Sequence, residues 1–147
     1  MRLTFDEILR AREHRILKHL DRYHSLSQGA EFELPAAVVL SEDETVLGVY
    51  DNLEDETQAP IFVTTVGLWV FSSEWRQVRY ADMDSARVKL GGEKVKTNAD
   101  TLLIGLTTGE TIEVLVTGGD GKLRDVWEVD RFMLRVIGGN KRRQRQE

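Results

Sequence analysis

The pattern of apolar and polar positions divides the chain into a helix, a run of strands and a second helix. Thr4 and Glu7 form a capping box, and apolar residues at helical spacing then predict a helix over residues 5–24. From about Val46 onward, short β-branched or alternating segments are separated by turn residues. Helical spacing returns over residues 122–137, which predicts a closing amphipathic helix.

The middle of the chain predicts antiparallel strands. We expect them at 44–50, 61–66, 68–71, 75–80, 85–90, 101–106 and 111–116, with a further short one at 38–40. Gly109 supplies a turn residue for the hairpin formed by the last two. The expected fold is therefore mainly β with α: a seven-stranded antiparallel barrel or sandwich, capped by the C-terminal helix. Its interior is expected to hold the aromatic residues Trp69, Phe71, Trp75 and Trp127.

This order of elements resembles that of pleckstrin-homology-like (PH-like) domains, in which strands are followed by one helix. Residues 79–88 add to the resemblance, because Tyr80, an acidic residue and an alternating strand are similar to a segment of bacterial members. The chain thus resembles a bacterial PH-like domain over residues 44–138. Residues 1–43 would add an N-terminal helix and extended connector, and residues 139–147 a basic disordered tail.

The resemblance implies a non-catalytic scaffold that holds a protein, a peptide or a lipid headgroup through loops or a sheet edge. Lipid-binding members of the family carry a basic cluster in the first hairpin loop. The corresponding loop here, residues 51–56, is acidic. We therefore expect no phosphoinositide site and assign no lipid-contact residue.

Length and composition are consistent with one soluble domain. The 147 residues, of which 41% are hydrophobic, can bury a single core. No apolar run approaches the roughly 18 to 20 residues that a membrane span needs, and the N-terminus lacks the layout of a signal peptide. The absence of cysteine removes disulfides and thiolate chemistry. We expect a cytoplasmic protein.

Charge is distributed unevenly around a formal net charge of −5. Residues 31–60 contain nine acids and no lysine or arginine, whereas residues 131–147 contain six bases and one acid. An acidic protein is not a default ligand of nucleic acid or anionic membranes, so we expect a protein partner, which the acidic loop predicts to be basic. The candidate partner-binding residues of this loop are Asp51, Glu54, Asp55 and Glu56. The candidate contacts of the basic tail are Lys141, Arg142, Arg143 and Arg145.

The sequence suggests no catalytic, metal-binding or cofactor-binding residues. His14, His19 and His24 are five residues apart, so successive rings on a helix would be rotated by about 140° and would not converge on a metal. The glycine-rich segment 118–122 lacks the Ser or Thr that completes a phosphate-binding loop. The acidic loop lacks the glycine and terminal glutamate of an EF-hand. No cofactor is expected.

Asp130 stands out because it falls on the apolar face of the C-terminal helix, between Trp127 and Met133. A buried carboxylate requires hydrogen bonds or a cation. A strand backbone or an arginine can supply these, or this part of the helix can meet another protein.

These observations favour a non-catalytic interaction domain that binds a protein through loops, a sheet edge or a helix face. An immunity or inhibitor protein that neutralises a cognate toxin is an alternative, because small acidic proteins can block basic active sites. Peripheral membrane attachment through the basic tail is another. The sequence leaves open whether the protein forms homo-oligomers and whether its first helix packs on its own sheets or on another subunit.

Overall fold

The computed structural model describes residues 4–29, 33–52, 59–92, 95, 99–119 and 124–146, without the side chains of 28 and 140–146. Two α-helices, eight strands and three short 3-10 turns make up the described part. The helices are α1 (Phe5–Arg15) and α2 (Asp125–Gln146). The strands are β1 (Tyr23–Ser25), β2 (Val46–Tyr50), β3 (Ile61–Thr64), β4 (Gly67–Ser72), β5 (Glu74–Arg79), β6 (Met83–Val88), β7 (Thr101–Leu106) and β8 (Thr111–Leu115).

The strands form two antiparallel sheets in a mixed α/β architecture. Strands β1 to β5 make one sheet in sequence order, and β6 to β8 make the other. The 3-10 turn Tyr80–Asp82 carries the chain from the first sheet to the second, and the buried Tyr80 donates a hydrogen bond of 2.8 Å to the Thr64 carbonyl there. No ladder joins the two sheets among the described strands. Of the expected barrel or sandwich, the barrel is therefore wrong, because the two sheets do not close.

The N-terminal helix begins as predicted and ends much earlier. The Thr4 side chain accepts a 3.1 Å hydrogen bond from the Glu7 amide, which confirms the predicted cap. Helix α1 stops at Arg15, and the chain then forms β1, which pairs with β2. The prediction of a helix to residue 24 is wrong because Tyr23 is buried by strand alternation, with exposed His24 on the opposite side.

The seven strands expected from sequence are all present, with ends shifted by a few residues. The short strand expected at 38–40 is absent from this described segment, and Val38 instead packs on the outer face of the five-stranded sheet. Trp69 belongs to the same outer cluster, together with Val49 and Phe62. Strands β2 and β3 and the first four residues of β4 are therefore covered on both faces.

The aromatic residues do not share one interior. Trp75 is partly buried against the outer cluster, and its ring lies 5.5 Å from that of Phe62. Phe71 is 48% exposed. Trp127 alone of the four aromatic residues packs against the main core, from a partly buried position. The expectation that all four fill one interior is wrong, because Trp69, Phe71 and Trp75 share the outer face of the five-stranded sheet, whereas Trp127 packs against the main core.

Helix α2 covers the main core and is longer than predicted. Its buried face recurs at helical spacing: Val126, Val129, Phe132, Met133, Val136 and Ile137. It continues through Gly138 and Gly139 to Gln146, so the predicted end of the helix at residue 137 is wrong. Helix α1 packs against α2, and its Leu9 is fully buried in the same core. The N-terminal helix thus packs on its own chain.

Candidate functional site

Strand β8 has one edge that pairs with no other described strand. A 2.8 Å hydrogen bond from the Leu106 amide to the Glu110 carbonyl shows which residues of β8 face β7. Bonded and non-bonded pairs alternate along an antiparallel ladder, so the even-numbered residues of β8 bond β7. The odd-numbered residues turn their N–H and C=O groups outward. They are Thr111, Glu113 and Leu115.

A groove separates this free edge from the ends of β3, β4 and β5. It consists of two adjoining cavities of about 210 Å³ and about 320 Å³. Val70, Ser72 and Glu113 line both cavities, so the two are continuous. We call this space the β8 groove. Val70 and Ser72 of β4 border it on one side, and the Thr111–Leu115 edge of β8 borders it on the other.

An ion pair closes one end of the β8 groove. The Arg76 guanidinium donates to both carboxylate oxygens of Glu110, at 2.6 and 2.8 Å, and so links β5 to the β7–β8 hairpin. This hydrogen bonding raises the pKa of Arg76 and lowers the pKa of Glu110. Both side chains are about half exposed, so the pair is open to screening by salt.

Asn52 closes the other end. Its buried side-chain amide donates to the Leu115 carbonyl at 3.1 Å and to the Ala59 carbonyl at 3.1 Å. Its side-chain oxygen accepts the Thr117 amide at 3.0 Å. The Leu115 carbonyl is therefore satisfied. The N–H and C=O groups of Thr111 and Glu113 remain on the free edge, with the N–H of Leu115.

The walls of the β8 groove combine apolar and acidic side chains. Phe71 and Leu115 are 48% and 41% exposed, and both line the same cavity. Among the described residues that line the two cavities, three are acidic (Glu74, Glu110 and Glu113) and one, Arg76, is basic. Glu113 also accepts a 2.8 Å hydrogen bond from Lys89, which does not line either cavity. The groove is therefore negative overall.

The acids predicted as partner-binding residues divide into two groups. Asp51 is partly buried and directly precedes Asn52, which closes one end of the groove. The Asp51 amide donates a 2.9 Å hydrogen bond to the Arg22 carbonyl. Glu54, Asp55 and Glu56 lie outside the described residues, as do the side chains of Lys141, Arg142, Arg143 and Arg145. The flanking residues Asn52 and Ala59 both line the groove.

Asp130 lies on α2 and does not line the β8 groove. Its Oδ1 atom is buried and has no hydrogen-bond partner among the residues that the structure describes. Burial raises the pKa of this carboxyl group. Oδ1 therefore lacks the strand backbone or arginine partner that would make it a satisfied structural group.

Three polar clusters that sequence analysis missed are bonded internally. Glu44 is buried and accepts hydrogen bonds from Thr64 at 2.6 Å and from the Trp69 indole at 3.1 Å. Burial alone would raise the pKa of Glu44, but these bonds, with those from the Ser41 amide and Gln77, lower it. The sequence around Glu44 does not predict this burial, because Thr64 and Trp69 are 20 and 25 residues away in the chain.

The other two clusters join helices to strands. Buried Glu13 of α1 accepts hydrogen bonds from Tyr23 and from Ser25 of β1, the second at 3.0 Å. Asp125 at the start of α2 accepts a 2.8 Å hydrogen bond from Tyr50 of β2. Burial raises the pKa of both Tyr50 and Asp125. These carboxylates fasten each helix to the five-stranded sheet.

Comparison with known proteins identifies no relative. Neither the protein-family models, nor the curated proteins, nor the solved structures contain a match to this chain. Within the described ranges, no group of three or more His, Asp or Glu side chains could hold a metal ion. No described helix is long and apolar enough to cross a membrane.

Proposed function

We propose that this chain is a non-catalytic interaction domain of the PH-like type, which binds a basic segment of a protein partner in the β8 groove. The order of elements supports the PH-like assignment. Strands β2 to β8 are seven antiparallel strands in succession, and α2 follows them. Tyr80, which belongs to the segment 79–88 that adds to the resemblance, lies at the passage between the two sheets.

The observation that carries the binding function is an open strand edge beside exposed carboxylates. Folded proteins commonly cover, shorten or distort the edges of their sheets because an open edge can pair with another chain. The Thr111–Leu115 edge instead borders a groove with exposed Phe71 and Leu115. The surplus of glutamates there favours a partner of opposite charge. The cysteine-free sequence fits a cytoplasmic setting, which we include in the proposal.

Capture of partners from the native host by the tagged full-length chain tests this function. The informative variant is the double substitution Glu74→Lys and Glu113→Lys, which reverses two charges of the groove. Glu42→Lys is the matched control, because Glu42 is exposed and lines neither cavity. We expect proteins that wild type and the control retain and the double variant loses. Their retention should fall as salt is raised.

Equal retention by all three baits, or no protein retained above a blank resin, would contradict the proposal. The circular dichroism spectrum and melting temperature of each bait should match those of wild type, so that loss of binding is not loss of folding.

The contribution of the acidic loop is tested separately with Glu54→Gln, Asp55→Asn and Glu56→Gln in combination. If this loop contacts the partner, its neutralisation weakens retention. Unchanged retention would remove the loop from the binding site and leave the groove itself in place.

A further inference from the structure

We infer that the partner adds a strand to β8: an extended segment in which basic and apolar residues alternate pairs with the free edge in the β8 groove. This inference rests on the proposed function and specifies how the partner is held. It concerns the main chain of Thr111 and Glu113, which provides two donors and two acceptors, together with the N–H of Leu115.

The contacts that close the two ends of the β8 groove limit the length of the added strand. The Arg76–Glu110 ion pair lies at one end and the Asn52–Leu115 hydrogen bond at the other. Between them β8 offers five residues, from Thr111 to Leu115. Since pairing groups recur every second residue, a partner of about five residues fills this edge.

The side chains beside the edge indicate the chemistry of the partner. Successive side chains of a strand point to opposite faces, so an added strand presents two different rows. On its exposed face β8 offers Glu113, between Thr111 and Leu115, and on its buried face it offers the apolar Ile112 and Val114, which line the groove with Val70. A segment that alternates Lys or Arg with apolar residues matches both faces. In this mode of recognition, main-chain hydrogen bonds supply affinity and side chains supply specificity.

The charges disfavour two other occupants. If two copies of β8 paired around their midpoint, Glu113 would face Glu113 of the second copy, and like charges in directly opposite positions destabilise a sheet. A nucleic acid would bring phosphates to the same carboxylates. A basic protein segment meets neither penalty.

Synthetic peptides provide the probe. The full chain is titrated with short peptides that alternate lysine with valine, leucine or threonine. Two controls are the same peptides with glutamate in place of lysine, and with alternate backbone nitrogens methylated. We expect binding of the lysine peptides, no binding of the glutamate peptides, and a loss of roughly tenfold or more on methylation, which removes main-chain donors.

Two substitutions at one position separate main-chain pairing from charge. Glu113→Pro removes an outward-facing N–H and leaves the hydrogen bonds to β7 in place, as edge strands tolerate. Glu113→Gln removes only the charge. We expect the proline variant to weaken peptide binding roughly tenfold more than the glutamine variant does. If Glu113→Pro fails to fold, the methylated peptides test the same hydrogen bonds on the wild-type protein.

Several results would overturn the inference. Equal effects of Glu113→Pro and Glu113→Gln, together with no effect of methylation, would show attraction by charge alone. A wild-type dimer that dissociates in Glu113→Pro would show that a second copy occupies the edge. Failure of every lysine peptide to bind, while wild type still captures partners lost by the Glu74 and Glu113 double variant, would refute strand addition and leave the proposed function standing. Failure of that capture as well would refute both.

Discussion

At the scale of single residues, Asp130 combines a buried Oδ1 atom with the absence of any hydrogen-bond partner for it among the described residues. Burial raises its pKa in the folded state above its value in the unfolded chain. The folded protein therefore loses stability as pH rises through the interval that begins near the unfolded value of about 4 and ends at the raised pKa. Below that interval the carboxyl group is protonated in both states and the cost disappears.

We accordingly expect Asp130→Asn to increase the free energy of unfolding at neutral pH, with a gain that shrinks as the pH approaches about 4. Urea denaturation across this range measures it, with Asp43→Asn at an exposed turn as the control. A lower stability of Asp130→Asn at neutral pH would mean that the carboxylate has a stabilising partner. Sedimentation of wild type should show no self-association that the substitution abolishes.

Single buried polar residues are also where sequence analysis was least informative. Glu44, Glu13 and Asn52 look like ordinary surface residues in the sequence, and Asn52 was grouped with the acidic loop. Each is buried because the residues that bond it come from distant parts of the chain, such as Thr64 and Leu115. No spacing rule reports such contacts.

At the scale of elements, alternation and turn residues predicted β2 to β8 well, because each strand has its own local signal. The misses have physical causes. Tyr23 fits both helical and strand spacing, so the three-residue β1 was absorbed into the first helix. Gly138 and Gly139 favour a helix end, yet each costs only about 1 kcal/mol within a helix, and α2 continues through both.

The packing of α2 gives a prediction at this scale. Phe132 is fully buried in the main core, whereas Leu134 on the same helix is 49% exposed. We expect Phe132→Ala to lower the free energy of unfolding by about 3 to 5 kcal/mol, because it removes apolar contacts and leaves a cavity. Leu134→Ala should cost about 1 kcal/mol or less. Comparable losses in the two variants, measured by urea denaturation, would contradict the assigned face of α2.

At the scale of the whole molecule, buried carboxylates that are bonded within the chain contrast with the unpaired edge of β8. The clusters around Glu13, Glu44 and Asp125 are bonded to partners within the chain. The β8 groove instead presents main-chain groups without a strand partner in the described part of the chain, beside exposed carboxylates. An acidic binding surface was predictable from the sequence but this site was not, because the groove exists only where the two sheets approach each other.

Amide hydrogen exchange along β8, measured residue by residue on the full chain with and without a lysine-alternating peptide, tests the central claim most directly. In the free protein the amides of Ile112 and Val114 should exchange slowly, and those of Thr111 and Glu113 rapidly. Peptide binding should slow exchange at Thr111 and Glu113 and leave Ile112 and Val114 protected as before. Protection of Thr111 and Glu113 in the free protein, or no change there when the peptide binds, would contradict the account.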